Sequence, residues 1–197
     1  MNNLENYKKT KLTIDTDKAS ISAILMLIPI ALIYGLPFFL INDTELVLTN
    51  YKSFLIKIEL YLGMFAFPTL ILFFSFTGII IHELIHGITW SLFSKKGLKS
   101  IKYGVLWKKL TPYCHCKEPL LLKNYILGAI MPAVILGIIP AVYSIISGNL
   151  VIFGFAIFFT MGAIGDFLII KLIIKENRNS FALDHPSELG CFIYHKI

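Results

Sequence analysis

The stretch that decides the fold and the function of this chain is Ile81-His82-Glu83-Leu84-Ile85-His86-Gly87. Two histidines four residues apart on a helix lie about 40° apart around its axis, so both imidazoles can reach one metal ion. The glutamate beside the first histidine can then touch a water held by that metal without being a ligand itself. The stretch predicts a zinc site with His82 and His86 as ligands and Glu83 as the catalytic carboxylate.

A competing interpretation makes His82 and His86 ordinary polar residues on a helix face and Glu83 an interface carboxylate. The motif is expected by chance in roughly 0.004 chains of this length and composition. Buried histidines and glutamates are also costly unless they are paired, and three of them together in an apolar run need an explanation. The pattern therefore favours the metal site.

The composition places the chain in a lipid bilayer. Of its 197 residues 56% are hydrophobic and only 15% are charged, with a mean hydropathy of +0.75. These values are far from those of soluble domains, so we expect an integral membrane protein with one membrane domain, residues 1–197. We expect the bilayer and a membrane protein or peptide substrate as partners, and no nucleic acid. The single arginine and the many lysines and isoleucines are typical of an AT-rich bacterial genome.

Four long segments with almost no charge predict four transmembrane helices, because about 20 apolar residues cross a bilayer. The turn Ser147-Gly148-Asn149 separates the last two helices. The mixed, polar segment 43–59 is predicted to be a short external connection. The predicted helices cover about 19–42, 60–94, 124–147 and 150–174.

The distribution of lysines orients these helices. Eight lysines and one acid lie between Lys95 and Lys123, so the positive-inside rule places loop 95–123 in the cytoplasm. The lead-in 1–18 and the tail 176–197 then lie on the same side, where 16 of the 18 basic residues are found. We expect a multi-pass protein of the bacterial cell membrane with both termini cytoplasmic.

The basic loop carries an imperfect strand pattern. Ile101, Tyr103, Val105 and Trp107 alternate with other residues between Gly97 and Pro112. Both a short hairpin at the membrane surface and an amphipathic interfacial loop fit this pattern; a hairpin would offer an open edge for an extended substrate. The sequence thus predicts an all-α integral membrane protein of about four transmembrane helices, with at most a short β-hairpin in the cytoplasmic loop between helices 2 and 3.

A catalytic zinc usually has three protein ligands, and Asp166 is the first candidate for the third. It is the only carboxylate in the predicted fourth helix and lies near its inner end, at about the depth of His82. Gly162 and Gly165 precede it, and small residues three apart let two membrane helices approach closely. The alternative is an interfacial acid paired with Lys171.

Two other groups stay open as rivals for the ligand role. Asp184-His185-Pro186 in the tail indicates mainly a turn or a helix start, yet His185 could fold back to the metal. Cys114-His115-Cys116 lies on the basic loop, and its spacing matches no closed zinc site. With three cysteines in all, an odd number, we expect reduced thiols on the cytoplasmic face.

The motif at the cytoplasmic end of a membrane helix, followed by a later helix with an aspartate, resembles the site-2-protease class of intramembrane metalloproteases. The small size and the stretch Thr111-Pro112-Tyr113-Cys114-His115-Cys116-Lys117-Glu118-Pro119 are also similar to a family of bacterial membrane proteins labelled "putative zincin peptidases". The resemblance covers roughly residues 60–190 and is specific at the metal motif.

This resemblance implies that His82, His86 and Asp166 bind zinc and that Glu83 is the catalytic carboxylate. Site-2 proteases typically have a glycine after the aspartate, whereas here Gly165 precedes it. The third ligand therefore stays open between Asp166 and His185. The chain has no PDZ-like insertion, so we expect substrate selection to depend on the short loops.

These inferences predict a zinc metalloendopeptidase that cleaves peptide bonds in or near the cytoplasmic side of the membrane. Zinc polarises the scissile carbonyl, and Glu83 moves the protons. The alternative is a membrane protein that binds metal without catalysis, as a transporter, a sensor or an immunity-type protein. A transporter needs polar groups along a route to both faces, and the outer halves of the predicted helices offer almost none.

Overall fold

The computed structural model describes residues 7–14, 16–107, 111–186 and 188–196. Most of them are helical. The helices are α1 (Thr16–Ile41), α2 (Thr44–Leu62), α3 (Ala66–Ser91), α4 (Leu122–Pro132), α5 (Ile139–Ser147), α6 (Leu150–Gly162) and α7 (Ile164–Ile173). The strands are β1 (Tyr7–Thr13), β2 (Ile101–Leu106), β3 (Thr111–Cys116), β4 (Leu120–Leu121), β5 (Phe181–Asp184) and β6 (Gly190–Lys196).

Within the described residues, three helical stretches are long and apolar enough to cross a membrane: 24–41, 66–91 and 122–147. Helices α6 and α7 are joined at a bend of 43°. If this bent pair is counted as one span, it is the fourth. The apolar segments therefore lie where the sequence predicted them, but the last one is broken at Ala163. The close helix approach expected at Gly162 and Gly165 is wrong, since no described atom lies within 4 Å of where a Cβ would stand at either glycine.

The segment 43–59 is a helix, not the short connection that its charges suggested. The Asp43 carboxylate accepts hydrogen bonds from the backbone N–H groups of Glu45 and Leu46, at 2.9 and 3.1 Å, and so caps the first turn of α2. The helix ends at Gly63, whose φ of 90° is open mainly to glycine. Scattered charges are compatible with a helix whose side chains are mostly exposed.

The expectation of an all-α protein with at most one hairpin is also wrong. The predicted hairpin is present as β2 and β3, paired antiparallel from Ile101 with Cys116 onward. A second, four-stranded sheet has the order β1-β6-β5-β4 and joins the predicted lead-in to the predicted tail. Residues 108–110, between β2 and β3, and residues 1–6 of the lead-in lie outside the described residues.

The third span, 122–147, is interrupted by a π-helical turn at Ala133–Ile138. Pro140 explains it in part, because its ring has no N–H and crowds the carbonyl one turn earlier, at Leu136. The span ends at Gly148 in the left-handed conformation, and the Asn149 side chain caps α6 by accepting from Val151 and Ile152. The turn predicted at Ser147-Gly148-Asn149 is therefore confirmed.

The chain divides into two compact units. One consists of residues 24–81 and 133–162 and has a small core around Phe38, Val47 and Phe153. The other contains the rest of the chain, with both sheets and the His-Glu-x-x-His motif. Its core packs apolar side chains of α3, α4 and α7 with those of the strands, among them Trp90, Leu122, Tyr125, Ile173, Ala182 and Ile193. The candidate site lies wholly in this second unit.

Candidate metal centre

One face of α3 carries His82, His86 and Trp90, which follow one another at intervals of four residues. All three are buried, with exposed fractions of 9%, 4% and 4%. On the other side of the helix Leu84 and Ile88 are exposed. The apolar outer side and the polar inner side are separate, so the helix presents both imidazoles to the interior of its unit.

The carboxylate of Asp166, on α7, completes a triangle with the two histidines. Its Oδ2 lies 3.2 Å from Nε2 of His82, and its Oδ1 lies 3.3 Å from Nε2 of His86. The two Nε2 atoms are 3.2 Å apart. Asp166 follows His82 by 84 residues, so the tertiary fold, in which α7 packs against α4, brings the three together.

The two Nε2 atoms are about as far apart as two ligand atoms of a tetrahedral zinc, and each faces a different carboxylate oxygen of Asp166. Zinc binds imidazole nitrogen and carboxylate oxygen at about 2.0–2.1 Å, which puts adjacent tetrahedral ligand atoms about 3.3 Å apart. One ligand atom from each residue lies within 4.8 Å of the others. Two histidines and one carboxylate also leave a fourth position for water or substrate, as catalytic zinc sites require.

Hydrogen bonding selects the tautomer of His86. Its Nδ1 lies 2.9 Å from the carbonyl oxygen of Gly128, and a carbonyl can only accept, so Nδ1 carries the proton and donates. The neutral ring then has an unprotonated Nε2, which points at His82 and Asp166. A lone pair facing a second imidazole nitrogen and a carboxylate is the donor set that a cation satisfies.

Glu83 projects beside this triangle and is half-buried. Its carboxylate interacts with the backbone N–H of Cys114 on β3. The Cys114 thiol is also close to Glu83: burial first, and then the negative charge of Glu83, raise the pKa of this thiol. Strand β3 therefore passes directly next to the carboxylate of the motif.

The hairpin lies against α3 at Gly87, one helical turn after Glu83. A Cβ at Gly87 would overlap the hydroxyl group of Tyr103 and lie 2.9 Å from Cγ2 of Ile101, so only glycine allows this approach. Burial, and then the neighbouring Cys114 and Glu83, raise the pKa of the Tyr103 phenol, which keeps it a neutral donor. A phenolic O–H thus lies next to the motif.

The outer edge of β3 is partly occupied. The N–H of Cys116 donates to Oδ2 of Asp184 at 2.8 Å, while the next N–H, that of Lys117, points the other way to Ser100. Because successive N–H groups alternate sides in a strand, the N–H of Cys114 points outward as well, toward Glu83. The open edge expected for the hairpin is therefore already engaged at these two positions.

The other predicted candidates lie elsewhere. Asp184 is the last residue of β5 and pairs with Cys191 of β6, so the stretch that follows it connects two strands and does not start a helix. The Nδ1 of His185 accepts from the N–H of Glu188 at 2.9 Å, and its ring packs on Phe192. Within the described part of the chain, His82, His86 and Asp166 form the only group of three His, Cys, Asp or Glu side chains close enough to share a metal; the Cys114-His115-Cys116 stretch is not part of it.

Several residues around the centre were not predicted from the sequence. The position of Trp90 could have been predicted, since it follows His86 by four residues and so lies on the same face of the helix. Gly128 and Tyr125 lie in an apolar helix and gave none. Tyr103 was noted for the strand pattern, but nothing in the sequence placed its hydroxyl beside the metal motif.

A family model described as "Putative zincin peptidase" matches residues 75–181, more than half of the chain. The chain belongs to this family. The matched range includes the motif on α3, both strands of the hairpin and Asp166. The comparison with curated proteins found no match, and neither did the comparison with solved structures.

Proposed function

We propose that this protein is a zinc-dependent metallopeptidase of the site-2-protease type, embedded in the cell membrane. The observation that carries the proposal is the cluster of His82, His86 and Asp166, in which the two Nε2 atoms lie 3.2 Å apart and each lies 3.2–3.3 Å from one of the two carboxylate oxygens. Membership of a zincin-like peptidase family supports the peptidase class. Three or four helices that are long and apolar enough to span a membrane are compatible with the location.

His82 and His86 would hold zinc through Nε2, and Asp166 through its carboxylate. The donor set fits the metal because the Nδ1 proton of His86 is committed to Gly128 and leaves Nε2 free to bind. When bound, zinc supplies a Lewis acid that polarises the scissile carbonyl and lowers the pKa of a water ligand to about 7.

Glu83 is the general base and acid in this proposal. It is adjacent to His82 in the chain but lies one step further round the helix, so its carboxylate is beside the triangle rather than part of it. There it accepts a proton from the attacking water and returns that proton to the leaving amine. The N–H of Cys114 lies close to this carboxylate, on the hairpin side of the helix.

The substrate we propose is a membrane protein or a peptide at the cytoplasmic side of a bacterial membrane. The lysine-rich loop that contains the hairpin supports this orientation by the positive-inside rule. A substrate helix must unwind before cleavage, because its amides are shielded by their own hydrogen bonds. An unwound substrate segment that reaches Glu83 would lie next to strand β3, because β3 passes beside that carboxylate.

Metal content tests the proposal first. The protein is purified in detergent, and its zinc is measured beside that of His86→Ala and Asp166→Ala. We expect about one zinc per chain in the wild type and in Glu83→Gln, and strong loss in the two ligand variants. No zinc in the wild type, even after zinc is supplied, would refute the proposal.

Catalysis is tested with the same proteins reconstituted into isolated bacterial membranes. New peptide termini in the membrane proteins are labelled and mapped by mass spectrometry. We expect termini that appear with the wild type and are absent with Glu83→Gln. Zinc binding without any Glu83-dependent cleavage would instead favour the alternative of a non-catalytic metal-binding protein.

A further inference from the structure

Three aromatic rings are stacked from the candidate metal ligand into the core of its unit. The imidazole of His86 and the indole of Trp90 lie 5.0 Å apart at an angle of 15°. The indole and the phenol ring of Tyr125 lie 5.4 Å apart at 16°. The orientation of the His86 ring therefore depends on the position of Trp90, and that of Trp90 on the position of Tyr125.

One turn of α4 holds this stack at both ends. The indole N–H of Trp90 donates to the carbonyl oxygen of Tyr125 at 3.0 Å. Gly128, one turn later, accepts from Nδ1 of His86 and lies so close to Trp90 that a Cβ there would overlap the indole. The same backbone segment thus fixes both the ring that stacks on His86 and the acceptor that orients it.

The far end of the stack is tied to the strand near the end of the chain. Oδ1 of Asp184 accepts from the hydroxyl group of Tyr125 at 2.6 Å, and Oδ2 accepts from the N–H of Cys116 at 2.8 Å. Tyr125 is fully buried, so this hydroxyl has Asp184 where it would otherwise need water. Asp184 follows the range matched by the family model, which ends at residue 181.

We propose that Asp184 is a positioning residue for the metal centre, acting through Tyr125 and Trp90 on the ring of His86, so that strand β5 sets how tightly zinc is held. The proposal rests on the proposed function, because it takes His86 as a zinc ligand. Asp184 does not touch the metal: it fixes Tyr125, the stack transmits that position, and His86 keeps Nε2 pointed at its partners.

Such a role affects affinity more than the fold. Outer groups that orient metal-binding histidines typically change metal affinity by about 10–100-fold when they are removed. Tyr125→Phe removes one oxygen and leaves the ring stack in place. Asp184→Asn keeps the size of the side chain, but its amide nitrogen cannot accept, so a bond to Tyr125 survives only with the hydroxyl as acceptor and the hydroxyl proton turned away from residue 184.

The test is the zinc dissociation constant of the detergent-purified full chain, measured by competition with a chromophoric chelator. We expect Tyr125→Phe and Asp184→Asn each to weaken zinc binding by about tenfold. If the two residues act in one chain of contacts, the double variant weakens binding no more than the stronger single variant. The d–d spectrum of the cobalt-substituted protein should change in the same variants, because it reports the orientation of the ligands.

Matched controls separate this role from general damage to the fold. Tyr194→Phe makes the same chemical change in β6, and Glu188→Gln changes an exposed tail carboxylate that pairs with Lys11. Both should bind zinc like the wild type. Tyr125→Phe and Asp184→Asn lose or reverse a buried hydrogen bond and should unfold at a lower temperature without metal, so zinc binding is measured well below the unfolding temperature of every variant. Unchanged zinc affinity in Tyr125→Phe and Asp184→Asn would overturn the proposal, while a wild type without zinc affinity would overturn the proposed function itself.

Discussion

The Nδ1–H of His86 donates to the carbonyl oxygen of Gly128 over 2.9 Å, and this single bond decides which nitrogen of the ring faces the metal centre. Gly128 can make the bond only because it has no side chain: the indole of Trp90 occupies the place where a Cβ would stand. Gly128 therefore orients the His86 ring in two ways: its carbonyl oxygen accepts the Nδ1 proton, and its lack of a side chain leaves room for the indole that stacks on the ring.

Gly128→Ala should disturb this arrangement. The added methyl group overlaps the Trp90 indole, so either the indole or the helix must shift, and overpacking of this kind costs about 1–3 kcal/mol of unfolding free energy. We also expect zinc affinity to fall by about tenfold, since the acceptor for His86 moves. Thermal unfolding and chelator competition measure the two effects.

The control is Gly154→Ala, a helical glycine with no described atom within 4 Å of the new Cβ. It should be neutral or slightly stabilising, because alanine favours a helix by up to about 1 kcal/mol over glycine. Equal zinc affinity in both variants would show that the contact of Gly128 with Trp90 does not support the metal centre.

Zinc should stabilise the folded chain through Asp166. A ligand that binds only the native state raises the free energy of unfolding by about 2.7 kcal/mol at a hundredfold excess over its dissociation constant. We expect zinc to raise the melting temperature of the chelator-treated wild type, and to have little effect on Asp166→Asn. Asp43→Asn alters an acid that only caps α2, and it should keep the full zinc effect. A full effect in Asp166→Asn would move the third ligand elsewhere, with His185 as the next candidate.

Gly87→Ala should loosen the hairpin. The new methyl group would overlap the Tyr103 hydroxyl and lie 2.9 Å from Cγ2 of Ile101, so these side chains of β2 must shift away from α3, at a cost of up to about 1–3 kcal/mol. We expect faster limited proteolysis at Lys102, which is exposed on β2. Shortening the opposing side chain in Gly87→Ala/Tyr103→Leu should restore part of the resistance. Wild-type resistance in Gly87→Ala alone would contradict the close contact.

The thiols should react slowly with alkylating reagents in the native state. Burial raises the pKa of Cys116 to about 11 and that of Cys191 to about 12. Because the thiolate is the nucleophile, a pKa near 11 leaves only about one Cys116 in a thousand reactive at pH 8. Iodoacetamide labelling followed by mass spectrometry should be slow at pH 8, rise with pH toward those values, and become fast on unfolding. Rapid labelling of the native protein at pH 8 would refute the burial of these thiols.

The clustering of the His-Glu-x-x-His motif with Asp166 could be predicted from local information. Helical spacing puts His82 and His86 on one face, and an uncharged span with a single acid leaves Asp166 as the natural third group. The structure brings these three side chains together; their roles remain predictions that the metal measurements test.

What could not be predicted depends on contacts between distant segments. Strands β1 and β6 pair residues near opposite ends of the chain, such as Tyr7 with Lys196, and neither segment has an apolar alternation of its own. In the same way, the sequence shows that Trp90 shares a face with His86, but not that Tyr125 stacks on its other side. Burial by a distant partner, rather than local propensity, creates these elements.

The hydrogen bond between Asp184 and Tyr125 can form only late in the synthesis of the chain. The ribosome makes His82 and His86 long before Asp166, and makes Asp184 later still. A nascent chain that has formed α3 therefore carries the two histidines and Glu83, but neither Asp166 nor the strand that contains Asp184. The three side chains of the candidate centre are therefore all present only after Asp166 is made, and the ring stack has its last hydrogen-bond partner only after Asp184 is made.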